Sequence, residues 1–273
     1  MGKNQHYMPQ FIQKEFECKL KHESQKKHNV KIYDKSKDKI SIVSRKHNMS
    51  KPAIEAYGQY SNSFDEDLQK IESMAAPKIK EILDNPYHYT EINQSLPQEI
   101  LDFIISMKYR SPNTINDVSM ISDIFLEYAN NEPNLKNNPV KEKLQDIKTH
   151  NDQLMPVLNL SELITSDKNT NSDIYSGKFE IITTDKHTPI FLSDQTFTGF
   201  IALSPHMILV YGEDCKNIVK KTIKERGKAN TIDLYNFISI QSAYERVIIN
   251  EQTTLWQIKK LYNKFEKLQQ IIP

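Results

Sequence analysis

The chain has 273 residues, with 36 Lys plus Arg against 35 Asp plus Glu and a formal net charge of +1. That length suffices for a sizeable hydrophobic core, and the near balance of charge removes any global drive toward nucleic acid or anionic membranes, leaving local patches only. Two distant cysteines, Cys18 and Cys215, argue against a disulfide framework or a cysteine zinc site. No apolar run reaches membrane-spanning length, so a soluble, cytoplasmic protein without a membrane partner is expected.

In chain order, Pro9 suits the first turn of a helix, and FIQKEFECKL then reads as a short amphipathic helix with Phe11, Ile12, Phe16 and Leu20 inward. VKIYD (30–34) and KISIVS (39–44) alternate apolar and polar residues around KSKD, which predicts a β-hairpin. Residues 45–60 read as irregular. The spacing of Phe64, Leu68, Ile71, Ala75, Ile79 and Ile82 predicts a helix over about 63–84, opened by a Ser63–Glu66 capping box and kinked or broken at Pro77. NPYHY (85–89) reads as a turn. PQEILDFIISMKYR from Pro97 and INDVSMISDIFLEYA (115–129) read as helices, followed by a helix around 140–165 flanked by polar loops near 130–139 and 166–173.

GKFEIITTD, TPIFLSD, TGFIALS and MILVYG then read as three or four strands. CKNIVKKTIKERG, TIDLYNFISIQSAYERVIIN and a Lys-rich tail carrying Trp256 read as helices. Strands do not alternate regularly with helices. The expected class is therefore α+β, predominantly helical, with an N-terminal hairpin and a small sheet around 178–212, and residues 1–273 as one domain.

Phosphate-cradling glycine loops, the serine-nucleophile elbow and the zincin His pair are all missing. The basic runs 19–28 and 216–228 could offer local anion contacts, or be solvated faces. The opening QHYMPQF is more informative. If Pro9 starts a helix, His6 lies just before unpaired N–H groups of partial positive charge. A histidine there could hold or protonate a phosphate; equally, it could pack on Tyr7 and bond a backbone carbonyl.

QHYMPQFIQKEF resembles the start of the domain of unknown function 4238 family, through its His-x-x-Pro and following aromatic residues: His6, Tyr7, Met8, Pro9, Gln10, Phe11 and Phe16. Weaker matches follow in order: KIYDKSKDKI; FDEDLQKIES with Glu72; MKYRSP with Arg110 and Pro112; IFLSDQTF with Ser193 and Asp194; IALSPHMILV with Ser204 and Pro205; and YNFISIQSAYERVI with Asn236. The sequence departs from the pattern at Gln13, where an apolar residue is usual, and at Thr196, where proline is usual.

The resemblance directs attention to His6, Glu72, Arg110 and Asp194 as a catalytic set, with Tyr7, Gln10, Ser193 and Asn236 as substrate-binding residues. Gathered in one concavity, they would suit attack on a phosphodiester. His6 would serve as acid or base, Glu72 and Asp194 would hold a divalent metal or orient water, and Arg110 would hold phosphate. That reading is an intracellular hydrolase, a nuclease acting in bacterial defence or as a toxin, with nucleic acid or a nucleotide as partner. Each residue also has a structural alternative: a buried Glu72–Arg110 ion pair, Asp194 capping a turn, Asn236 bracing a helix. The matching function is a non-catalytic module that binds a nucleotide, another anion or a protein, the last through the tail stripe Leu255, Ile258, Leu261, Tyr262, Phe265 and Leu268.

Overall fold

A computed structural model describes residues 4–6, 8–18, 28–52, 61–86, 95–132, 138–150, 160–175, 179–195 and 199–265. The NPYHY turn beyond Pro86, the position of Thr196 and most of the basic run 19–28 lie outside them. The architecture is α+β and predominantly helical.

Strand β1 (Asn4–His6) pairs antiparallel with β4 (Ser50–Pro52), His6 opposite Ser50. Neither strand was expected, because three residues are too few to show alternation. Helix α1 (Gln10–Lys14) is only five residues long, shorter than the expected run. Beyond it Cys18 N–H donates to the Asn29 carbonyl at 3.0 Å, tying the chain to the sheet.

The expected hairpin forms: β2 (Asn29–Asp34) and β3 (Lys39–Ser44) pair in register from Asn29–Ser44 to Asp34–Lys39. It belongs to a four-stranded antiparallel sheet ordered β3-β2-β9-β6, where β6 is Leu192–Ser193 and β9 is Arg246–Ile249. Ile32, Ile248 and Leu192 lie in one row across this sheet, and Tyr33, Val247 and Ser193 in the next. Successive rows face opposite sides. Ile32, Ile248 and Leu192 join the main core, and Tyr33 and Val247 join a second cluster with Phe237, Ile240 and Ile258.

A three-stranded antiparallel sheet is ordered β5-β8-β7, from Glu180–Thr183, Met207–Val210 and Phe200–Ser204. Of the three or four strands expected near 178–212, four exist, but β6 leaves its neighbours for the hairpin sheet. Strand β9 replaces the end of an expected helix. Its Val247, Ile248 and Ile249 are β-branched and buried, which suits a central strand covered on both faces.

Helix α2 (Ser61–Asp84) runs through Pro77 without a break. It begins two residues ahead of the expected start, and the side chain of Ser63 lies outside the described residues. Helix α3 (Gln98–Arg110) buries Phe103, Ile104 and Met107 against α2 and the N-terminal segment, with the Phe11 and Phe103 rings 5.3 Å apart. Helix α4 (Pro112–Asn131) is capped by Ser111, whose Oγ accepts from Thr114 N–H at 3.3 Å. The helix expected over 140–165 is met at its two ends by α5 (Pro139–His150) and α6 (Leu160–Thr170), and residues 151–159 lie outside the described residues. The short α7 (Ser172–Tyr175) follows, in a stretch expected to be loop.

Gly212, at φ +79, turns the chain from β8 into α8 (Glu213–Arg226); a Cβ there would lie 2.7 Å from the Ile174 carbonyl oxygen. Helix α9 (Lys228–Ser242) is buried on several sides, with Ile232 in the main core and Phe237 in the second cluster. Helix α10 (Leu255–Lys264) is capped by Thr254 with Gln257. Its Ile258, Leu261 and neighbouring Phe265 pack on the second cluster, so the tail stripe serves the protein's own core over those residues; Leu268 lies outside the described residues. Among the described residues no helix is long and apolar enough to cross a membrane.

Ile248 is fully buried at the centre of the four-stranded sheet. Ile248→Ala is expected to lower the unfolding free energy by about 2–5 kcal/mol, read from the midpoint of a urea titration.

Candidate functional site

Asp194 follows the two-residue strand β6 and is 4 % exposed. Its Oδ1 accepts from Tyr244 N–H at 2.8 Å, and its Oδ2 accepts from Glu245 N–H at 2.8 Å and Arg246 N–H at 2.9 Å. The carboxylate thus holds three consecutive amides at the turn between α9 and β9. Burial pushes its pKa above the ordinary value, with the three N–H bonds pulling the other way. Lys35, at the hairpin corner, grips the same turn from its carbonyl side. Its Nζ donates to Gln241 O and, at 3.1 Å, to Ala243 O. Burial lowers the Lys35 pKa, and the Asp194 charge opposes that shift. Ser193 is buried as well, and its Oγ accepts from Gln195 N–H at 3.1 Å.

Asn236 projects from α9 toward the segment leading into β6. Its Nδ2 donates to Pro189 O and its Oδ1 accepts from Phe191 N–H, both at 2.8 Å. One side-chain amide therefore supplies the donor and acceptor that a neighbouring strand would supply. The clamped segment forms one wall of a cleft of about 330 Å³, which lies between it, α9 and α10. His187 and Phe191 stand on that wall, Asp233 and Asn236 on α9, and Lys260 and Lys264 on α10. Lys264 reaches Asp233 Oδ2 at 2.5 Å and Asn230 Oδ1 at 2.6 Å. Lys260 lies with its Nζ 5.3 Å from the centroid of the exposed Trp256 ring.

Glu72 and Arg110 form an ion pair joining α2 to α3, with Nη1 to Oε1 at 2.6 Å. The Arg110 side chain is 2 % exposed and that of Glu72 26 %. Arg110 Nε has no hydrogen-bond partner among the described residues.

The backbone of His6 is placed by its strand pairing, but its side chain and the whole of Tyr7 lie outside the described residues. The Gln10 carbonyl accepts from Arg45 Nη1 at 3.0 Å. Gln13, the departure from the family pattern, is fully buried yet bonded. Its Nε2 donates to Met8 O at 2.6 Å, and its Oε1 accepts from Asn48 Nδ2 at 3.1 Å. A polar side chain is tolerated in the core when its groups are paired in this way. Helix α1 is too short to build up much of a macrodipole at Pro9.

The candidate residues thus fall into separate bonded groups: Glu72 with Arg110, Asp194 with the turn before β9, and Asn236 with the segment before β6. Among the described residues, no three His, Cys, Asp or Glu side chains are gathered as a metal site. Sequence reasoning missed the cleft lysines, which it left within the Lys-rich amphipathic tail. Their i, i+4 spacing beside Leu261 was the available signal. It also missed Asp167, which lies in a polar stretch expected to be loop. Asp167 is buried, accepting from Lys108 Nζ at 3.0 and 3.2 Å and from Tyr175 OH at 3.2 Å. Burial, with the Asp167 charge nearby, pushes Tyr109 up to about 12.

Asp194→Asn keeps one acceptor oxygen but turns an amide N–H₂ toward the amides of the 244–246 turn. It is expected to cost about 1–3 kcal/mol of stability. A urea midpoint indistinguishable from wild type would show that the turn does not depend on the carboxylate.

No curated protein and no solved structure matches the chain. A family model described as a protein of unknown function (DUF4238) matches residues 4–253, spanning all three sheets, the Glu72–Arg110 pair, Asp194 and Asn236. The chain belongs to the DUF4238 family.

Proposed function

We propose that the protein is a binding module for a small phosphate-bearing anion such as a nucleotide, held in the cleft between the 187–191 segment, α9 and α10. The observation that carries this reading is the pairing of a clamped wall with a basic one. Asn236 fixes Pro189 and Phe191 by two hydrogen bonds, and Lys260 and Lys264 face the same space across from them.

Two lysines stand against one aspartate in the lining, so the cleft is net positive even with His187 neutral. Phe191 and Leu261 supply apolar surface on which a base or similar ring could rest. The volume lies near the lower end of the roughly 300–1,000 Å³ typical of small-molecule sites.

Binding is favoured over phosphodiester hydrolysis by the state of the acidic residues. A metal-holding or water-orienting role would fall to a buried Asp194 carboxylate that already accepts from three backbone amides. Arg110 is buried and its charge is already paired with Glu72, which leaves it little exposed surface to offer a phosphate. Anion binding in the cleft disturbs neither group: Lys260 is exposed there, and Lys264 would share its charge between the anion and Asp233. Hydrolysis through His6, Glu72, Arg110 and Asp194 would instead show as turnover of a phosphodiester that each single alanine substitution abolishes.

Titration with AMP, followed by NMR of the histidine rings, tests the binding reading. The His187 ring signal is expected to shift saturably in the wild-type protein. Lys260 is exposed, so Lys260→Glu keeps the fold and is expected to weaken binding at least tenfold, about 1.4 kcal/mol. No shift of His187, or equal affinity in the variant, would rule the cleft out as the anion site.

A further inference from the structure

We propose that Trp256 is the platform on which the base of a bound nucleotide stacks, so that the cleft prefers a base-bearing phosphate to a plain sugar phosphate. This rests on the reading of the cleft as the anion site and adds to it the part of the ligand that carries no charge.

Trp256 is the one tryptophan of the chain. Tryptophan is on average a well-buried residue. This one is 69 % exposed, the highest value for a large hydrophobic side chain among the described residues. It does not serve the core, a task that falls on α10 to Ile258 and Leu261. A lone exposed apolar side chain needs no explanation by itself. What gives this one a role is its place.

The place follows from helical spacing. Trp256, Lys260 and Lys264 recur every four residues, so they stand one above another along α10, each about 6 Å further along the axis. Gln257, Lys260, Leu261 and Lys264 line the cleft, as does Thr253 just ahead of the helix. Trp256 therefore flanks this lining, on the side of Lys260 away from Leu261. Contact confirms it: Lys260 Nζ lies 5.3 Å from the centre of the indole ring.

The interior of the cleft lacks what Trp256 offers. Phe191 and Leu261 line it but are only 4 % and 9 % exposed. They form a floor against which a ring can rest, with little free face for stacking. The indole offers a broad bicyclic face, and any base can stack on it because every base has a π-face. A phosphate held by Lys260 and Lys264 leaves the sugar and base to extend along the helix, and toward its N-terminal end they meet this ring. The hold of Lys260 on the ring is no obstacle. An exposed cation–π contact is weak, and the lysine gains a charge-assisted hydrogen bond when it turns to the phosphate.

Paired titrations of the full chain with AMP and with ribose 5-phosphate, which keeps the sugar and the phosphate but lacks the base, test this. The His187 ring signal reports occupancy of the cleft. The fluorescence of Trp256 reports the stack, with no second tryptophan to dilute it. AMP is expected to quench that fluorescence saturably and to bind roughly tenfold more tightly than ribose 5-phosphate. Trp256 is exposed, so its replacement leaves the fold intact. Trp256→Ala is expected to weaken AMP binding roughly tenfold and to leave ribose 5-phosphate binding unchanged, while Trp256→Phe restores most of the affinity for AMP. Equal affinity for the two phosphates, AMP bound with the fluorescence unaltered, or a Trp256→Ala variant that binds AMP as tightly as wild type would each overturn the platform and leave the cleft standing. A His187 ring that responds to neither compound would remove the cleft and the platform together.

Discussion

The carboxylate of Asp194 and the three amides it holds decide how the C-terminal half of the chain is laid out. Without an acceptor at that point, the N–H groups of Tyr244, Glu245 and Arg246 would be unpaired at the mouth of the sheet. With it, α9 stops at Ser242 and the next residues extend into β9, the strand that joins the hairpin to β6. Lys35 completes the arrangement by taking the carbonyls of the same turn, so the hairpin, β6 and α9 meet at one polar knot. Asn236 repeats the device one step earlier in the chain, bonding the segment before β6 as a strand neighbour would.

These contacts explain what could and could not be read from the sequence. The β2–β3 hairpin was legible because its alternation and its KSKD turn are both local. Helices α2, α3 and α4 were legible because their apolar residues recur at helical spacing over three turns or more. Strand β9 was not. Ile240, Ala243 and Val247 continue the helical spacing of α9, and the residue that ends the helix, Asp194, lies about 50 positions away. The end of α6 beyond 165 and the short α7 were hidden for a similar reason: the polar residues near 166–173 read as loop, yet Asp167 is buried by its bonds to Lys108 and Tyr175.

The candidate site was legible only in part. Resemblance to the family singled out Asp194, Asn236, Glu72 and Arg110, and all four make buried or half-buried polar contacts. Their partners are mostly backbone groups and one another, so they act on the shape of the protein first. Of the four, Asn236 lines the cleft, whose charged groups are Lys260, Lys264 and Asp233. The two lysines were passed over in the sequence because a lysine on an amphipathic helix is ordinarily just solvated. The functional reading therefore moves from the polar residues singled out by the family to the surface that Asn236 helps to hold in place.

Amide hydrogen exchange tests that division of labour most directly. If Asn236 and Asp194 are the clamps, the amides of Phe191, Tyr244, Glu245 and Arg246 exchange as slowly as those of the adjoining strands, and Asn236→Ala frees Phe191 while leaving Ile248 protected. Fast exchange at these amides in the wild-type protein, or a Phe191 amide equally protected in the variant, would contradict the account.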